Sequence, residues 1–475
     1  MKRLSAVTLS VVAAALFAGC AHYRVNPELS SPPPAKQYRF SNLSGDSNSD
    51  SLFVILTFSG GGTRAAALAY GVLKELKATE IVWKGKKKAL LDEVDLISSI
   101  SGGSFTAMYY GLFGDRIFAE FETRFLKRDI QRELLHKLFQ PLPLLRLASL
   151  YYDRIDMAAD LYDETVFERK TYGDLAAAPR KPFLVINATN LYLGEQFEFT
   201  QDQFDLLGSD LNGVPVARAV AASSAFPLLL SPITFKNYGG DPAIARKKWV
   251  VNALKDYNLN RRRYVKAKNT LTYLDSKNHP YIHLMDGGLS DNIGMRAVIS
   301  SLRDAPEGGL LQLVNNGDIE RFLIVIVNAK NGPADHSDMK KNAPSIKDVA
   351  LKTTSISMDN YSFESVEAVK DIADVRAQAE QAIRDCQELI NEQAKGSAKG
   401  SASGKVKLPA PEKSVQFDIV EVSFDSITDM AEKQYFLNLP TSFTLAPDQV
   451  DRISSKAGEL LKQSEEFQEA LKELR

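Results

Sequence analysis

Five histidines and two cysteines limit what this chain can do with side-chain chemistry. His22, His136, His279, His283 and His336 show neither the spacing of a metal pair nor a triad position. Cys20 and Cys386 are too few for a cysteine-rich zinc site or a disulfide scaffold. Hydroxyls, carboxylates and backbone N–H groups remain, and three short segments offer them. In Ser99-Ile100-Ser101-Gly102-Gly103 a serine stands after an apolar run and before two glycines. A sharp strand-to-helix turn would present its hydroxyl at the strand end, where the helix N-terminus favours the negative charge of acyl transfer. The segment departs from G-x-S-x-G, with Ser99 in place of the first glycine, and in isolation it reads equally well as a plain strand–helix connection. Ser59-Gly60-Gly61-Gly62-Thr63-Arg64-Ala65 either offers consecutive N–H groups to an oxyanion or phosphate, or is a turn that needs glycine. It lacks the lysine of a P-loop, and Ala65 breaks the dinucleotide pattern G-x-G-x-x-G. In Met285-Asp286-Gly287-Gly288 the aspartate is either a turn residue or a carboxylate reaching the crevice beyond a parallel sheet. His283 falls on the opposite face of the same strand and reads as a core histidine, so the base for Ser101 would have to be a carboxylate.

These residues need a scaffold that brings them to one edge. Residues 52–58 (LFVILTF) form an unbroken apolar run, as a strand buried on both faces does, and 63–77 carry a helical apolar face. The unit repeats with a strand over 94–100 and a helix opening near Phe105. Further strands are predicted over 183–187, 281–285 and 322–327. Alternating strands and helices predict an α/β fold with a mainly parallel central sheet. Residues 115–175 read as helical with a break at Pro141-Leu142-Pro143, a candidate cap over the core. In 361–393, Ile372, Val375, Ala379, Ala382, Cys386 and Leu389 recur every three or four residues, which predicts a buried face with Cys386 as a small core residue. Residues 394–407 read as a flexible loop, 415–424 as a strand and 447–475 as a helix.

In their order along the chain, SGGGTRA, SISGGS and DGG resemble the motifs of the patatin-like phospholipase family, and Ala221-Ala222-Ser223-Ser224-Ala225-Phe226-Pro227 matches a further family segment. The resemblance spans about residues 52–330. It implies a three-layer patatin-like fold and a Ser–Asp dyad, with Ser101 as nucleophile and Asp286 as general base. It further implies an oxyanion hole from the N–H groups of Gly60, Gly61 and Gly62, with Arg64, Gly103, Gly287 and Gly288 in support. Such chemistry asks for no cofactor and no metal. Three function classes stay open: a lipid acyl hydrolase acting on phospholipid, an esterase on soluble acyl esters or thioesters, and a non-catalytic lipoprotein that keeps the fold for binding.

Lys2 and Arg3 precede an uncharged apolar run over 4–18 that is too short to span a bilayer, and Leu16-Phe17-Ala18-Gly19-Cys20 resembles a bacterial lipobox. A signal peptide over 1–19 is therefore expected, with a lipid on Cys20 as membrane anchor. Ala21 in place of aspartate favours the outer membrane in a Gram-negative cell. The Ser/Pro/Asn-rich stretch 20–50 reads as a flexible tether, 51–335 as the catalytic domain and 336–475 as an α+β extension. The 475 residues carry a formal net charge of −1 with 44% hydrophobic content, which excludes a globally basic nucleic-acid binder and a charged disordered chain. That balance conceals residues 236–268, where ten Lys/Arg face two Asp. This insertion is either a solvated surface or a contact for anionic lipid; no nucleic-acid partner is expected. The run Lys84-Gly85-Lys86-Lys87-Lys88 reads as a solvated loop.

Overall fold

The apolar runs become the centre of a sheet. The computed structural model describes residues 25–34, 36–42, 49, 51–147, 152–178, 182–227, 229–303, 310, 319–332, 341–396 and 415–474. Strand β1 (Leu52–Phe58) leads into helix α1 (Gly62–Ala78), and a short hairpin follows, β2 (Glu80–Trp83) and β3 (Lys86–Ala89). Strand β4 (Val94–Ile100) runs straight into α2 (Ser101–Phe113). A helical stretch holds α3 (Ile130–Leu138), α4 (Pro141–Leu147) and α5 (Arg154–Thr165). Next come β5 (Phe183–Asn190), β6 (Glu195–Glu198), α6 (Val216–Ser223), β7 (Ile233–Lys236) and β8 (Tyr281–Asp286). After β9 (Arg321–Asn328), α7 (Ile346–Gly396), β10 (Gln416–Ser423) and α8 (Pro447–Gln463) complete the elements that bear on the site.

The main sheet has the order β10-β9-β1-β4-β5-β8-β7, with β6 paired to β5. The run from β10 to β5 is parallel, and β8 and β7 close one edge antiparallel. Every residue of β1, β4, β5 and β9 is buried, as strands covered by helices on both faces must be. The fold is the α/β class predicted, with a mainly parallel sheet. The extension joins that sheet: β10 pairs with β9 along its whole length, and α8 packs on α1.

Several expectations are corrected. The described part of 20–50 is not a free tether. Tyr38 is buried and its hydroxyl pairs with both the N–H and the carbonyl of Leu184. Arg39 makes ion pairs with Asp202 and Asp205, and Asn26 bonds Ser209 and Lys236. A few anchors thus pin a segment whose average composition is polar. Residues 84–88 form the tip and second strand of the β2–β3 hairpin rather than a loop, because Lys84 and Gly85 both take positive φ, as a two-residue hairpin turn needs. Pro141 opens α4 from its first turn, where its missing N–H costs nothing, so the proline pair marks a helix start. The predicted apolar face of α7 points to solvent: Cys386 is exposed, with Val375 and Leu389 each more than half exposed. His283 is exposed on β8 and bonds Thr234, while Ile282, Leu284 and Asp286 point inward. The helix predicted over 447–475 is two helices, broken at Ser464, which caps the second. The leader, Cys20, His22, His336 and most of the 394–407 loop lie outside the described residues.

Candidate active site

Strand register brings the serine and the aspartate level. Ile100, the last residue of β4, sits opposite Asn187 of β5, so Ser101 comes next to Ala188. Asp286 pairs with Ala188 from the other side. Two strand spacings of ~4.8 Å separate their backbones, a gap that two inward-pointing side chains close. The sign of β8 matters: because it runs antiparallel, it descends onto the carboxyl edge of the sheet and ends there in Asp286.

Ser101 opens α2 at φ 47°, a left-handed conformation that costs a non-glycine residue ~1–2 kcal/mol. Its surroundings hold it there. The Ser101 N–H donates to Ser223 Oγ at 2.8 Å, and Ser223 in turn touches Ser104 Oγ at 3.0 Å. This buttress gives a role to the Ala-Ala-Ser-Ser segment, which sequence reasoning quoted without assigning any of its serines. A Cβ on Gly103 would press on Phe58 and the Ser59 carbonyl, and one on Gly102 would collide with the Gly62 backbone. Those glycines are what let the elbow and the glycine loop touch. Ser99, the departure from the family pattern, is fully buried within β4, and its hydroxyl meets no partner among the described residues.

Asp286 is 3% exposed. Burial pushes its carboxyl up to about 7, against the opposing pull of hydrogen bonds from the Gly288 N–H, at 2.8 Å, and from the Ser101 hydroxyl. Thr189 holds the Asp286 carbonyl at 2.8 Å, and a side chain on Gly287 would strike the Asn187 carbonyl. The arrangement places a carboxylate that is half-ionised near neutrality beside a serine hydroxyl.

The glycine loop differs from the three-donor set predicted. The Gly60 N–H is engaged by the Asn292 carbonyl at 2.9 Å. Gly61 and Gly62, both at positive φ, donate to no acceptor among the described residues and stand at the N-terminus of α1. Two unengaged donors thus stand at the N-terminus of α1, on the cavity that Ser101 also lines. Asn292 closes the segment that runs from Met285 through DGGLSD, and the sequence reading assigned it no role.

Arg64 does more than shape its own loop. Fully buried, its guanidinium donates to the carbonyls of Ala329 and Leu439 and to Thr441 Oγ1. Burial pulls its pKa down to about 10, partly offset by the Asp359 carboxylate, so it remains cationic at neutrality. Beside it the Thr63 N–H donates to the Ser442 carbonyl at 2.8 Å, and a Cβ on Gly62 would collide with that same residue. The far C-terminal segment therefore seats the glycine loop, a contact across nearly 380 residues with no local sequence sign.

Ser101, Asp286 and the three loop glycines line one cavity of about 1420 Å³. One wall is apolar, built from Leu134, Leu135 and Leu138 of α3 with Phe226, Leu229 and Leu230. The other comes from beyond Ala329 and carries Lys330, Lys352, Asp359 and Phe443.

Among solved structures, human GIVD cytosolic phospholipase A2 is 14% identical at a TM-score of 0.41 and covers 89% of this chain. VipD from Legionella pneumophila is 12% identical at a TM-score of 0.33, covering 95% of this chain and 71% of its own. This chain spans 63% of the length of the human enzyme. No curated protein matches the sequence. The family model described as patatin-like phospholipase matches residues 56–299, more than half of the chain, and takes in the glycine loop, the Ser101 elbow and Asp286; the chain belongs to the patatin-like phospholipase family.

Proposed function

We propose that the chain is a serine lipid acyl hydrolase of the phospholipase A or lysophospholipase type, working through a Ser101–Asp286 dyad. The observation that carries this reading is a strained serine beside a buried carboxyl of raised pKa, in front of two unengaged glycine N–H groups, at the floor of a half-apolar cavity. Ionised Asp286 accepts the Ser101 proton as Oγ attacks the ester carbonyl carbon. The Gly61 and Gly62 N–H groups hold the oxyanion, each such donor supplying ~2.7–4 kcal/mol of transition-state stabilisation. Protonated Asp286 then gives its proton to the leaving alcohol. Water enters, loses a proton to Asp286 and attacks the acyl-enzyme, and Ser101 recovers its proton as the fatty acid leaves. The apolar wall suits an acyl chain, which supports a lipid over a small soluble ester.

The expected result is labelling by a fluorophosphonate probe that disappears in Ser101→Ala. Product analysis by mass spectrometry on mixed phospholipids and neutral esters then reads the substrate class. A chain left unlabelled by the probe, or a Ser101→Ala variant hydrolysing esters at the parent rate, would overturn the proposal. The location is a separate proposal that rests on sequence: an envelope lipoprotein anchored through Cys20, at the outer membrane in a Gram-negative cell. Its test is incorporation of labelled palmitate that is lost in Cys20→Ser.

A further inference from the structure

The mouth of the cavity is bordered by apolar side chains that face water. Leu135 of α3 and Leu229 each line the cavity and are each more than half exposed. Beyond them Phe139, at the end of α3, is 80% exposed, and Leu144 of α4 is 54% exposed. The sequence of α4 is PLPLLRL, with Arg146 its one charge. Scattered exposed leucines need no explanation, but an apolar rim continuous with a cavity's apolar wall does. Three cations near the rim are matched within the chain: Arg128 pairs with Glu133, Lys137 with Glu164, and Arg146 lies over the Tyr152 ring within reach of Asp160, while Arg132 of α3 and the cavity-lining Arg154 make no ion pair among the described residues. A surface that is apolar and largely neutralised within the chain does not need an anionic partner. Among the described residues no helix is long and apolar enough to cross a membrane.

We propose that α3, α4 and Leu229 form a docking face that inserts into the surface of a zwitterionic phospholipid bilayer and places the cavity mouth against it. Phe139 and Leu144 enter the acyl boundary, while Leu135 and Leu229 make a continuous apolar path from bilayer to Ser101, along which an acyl chain moves without crossing water. No residue of the basic stretch 236–268 lines the cavity. The stretch folds as the helices Lys248–Ala253 and Arg261–Leu274 around a small core of Val250, Ala253 and Ala267. The purpose of the face rests on the lipid acyl hydrolase reading, but its existence is tested without catalysis.

The test uses the expected mature chain, residues 20–475 produced without the 1–19 leader and with Cys20→Ser to remove the expected lipid attachment, with and without Phe139→Glu plus Leu144→Glu. Neither of the last two residues lines the cavity. Sedimentation with phosphatidylcholine vesicles should show the parent bound at low salt and at about 0.5 M salt, where surface charge is screened. The double variant should bind at least ~10-fold more weakly, since two apolar contacts are replaced by charges. Hydrolysis of vesicle lipid should fall with it, while hydrolysis of a monomeric short-chain ester stays within about twofold. The indole fluorescence of a Phe139→Trp variant should be quenched by brominated phosphatidylcholine. Equal vesicle binding by the double variant, loss of parent binding at high salt, or a Phe139→Trp variant that brominated lipid leaves unquenched would each overturn the proposal. So would a dimer-to-monomer change in the double variant with vesicle binding kept, which would make a second copy the occupant. Binding lost on Phe139→Glu plus Leu144→Glu in a chain whose Ser101 proves inert would sustain this face and sink the catalytic reading alone.

Discussion

Asp286 carries a conflict between folding and chemistry that pH can expose. Its carboxyl is raised to about 7 by burial, while an unfolded aspartate titrates near ~3.9. Only the ionised form can take the Ser101 proton, so kcat/KM on a monomeric ester should fall about tenfold per pH unit below a limb near 7. Asp286→Asn should abolish both the activity and the limb; a limb that survives in that variant would assign the titration elsewhere. Stability runs the other way. The folded state favours the neutral carboxyl, a gain fully present below about pH 4 and lost as pH rises through about 7. Relative to the parent, Asp286→Asn should therefore gain stability between about pH 4 and pH 8, on the order of a few kcal/mol, read from denaturant midpoints at both ends. Ser99 offers a second residue-scale test. Its buried hydroxyl finds no partner among the described residues, so Ser99→Ala should raise stability by about 1 kcal/mol, visible as a higher Tm. A lower Tm would mean that the hydroxyl is satisfied in solution.

At the scale of elements, the glycine loop depends on the segment that follows the helix Met430–Leu437. Arg64 spans Ala329, Leu439 and Thr441 with a planar fork, a geometry that a lysine ammonium cannot reproduce. Arg64→Lys should lower kcat by at least ~10-fold with little change in KM, because the N–H groups of Gly61 and Gly62 lose their seat while the apolar wall of α3, Phe226, Leu229 and Leu230 stays. Limited proteolysis should cut residues 437–443 faster in the same variant; equal kcat and equal protection would reduce Arg64 to simple packing. This dependence also marks where sequence reasoning stops. Strands β1, β4 and β9 were legible because strands buried on both faces need unbroken apolar runs, and Ser101 and Asp286 were legible because both chemistry and backbone demand their glycine neighbours. The Ser442 and Leu439 carbonyls carry no side-chain signature, so their contact with the loop has no sequence sign. Tyr38 and Arg39 were hidden in a polar stretch whose average misrepresents two strong anchors. The stripe from Ile372 to Leu389 shows the reverse error: periodicity fixes which residues share a helical face, not whether anything covers that face.

For the whole molecule, the question is whether the C-terminal extension folds with the core or beside it. Strand β10 makes a parallel ladder with β9 over eight residue pairs, and Phe417 stacks on Phe322 at 5.0 Å. Arg321 of β9 reaches across to Asp418, with one contact at 2.9 Å, and both side chains are largely buried. On the helical side, Lys462 of α8 pairs with Glu75 of α1 at 2.9 Å, and Ser454 packs against Gly71 so closely that a side chain there would clash. A layer bonded into the sheet on one side and into the helix after the glycine loop on the other cannot unfold without exposing both. One cooperative transition is therefore expected in calorimetry, with Ser101 labelling lost at the same temperature. Asp418→Ala leaves the Arg321 guanidinium buried without its carboxylate, a change that costs about 3 kcal/mol. If extension and core are one unit, that substitution, in a strand at the opposite edge of the sheet from Asp286, should lower the single transition and the loss of probe labelling together by a few degrees. Two separate transitions, with labelling following only the upper one, would show a core that stands alone and would remove the Leu439–Ser442 segment from any necessary part in the site.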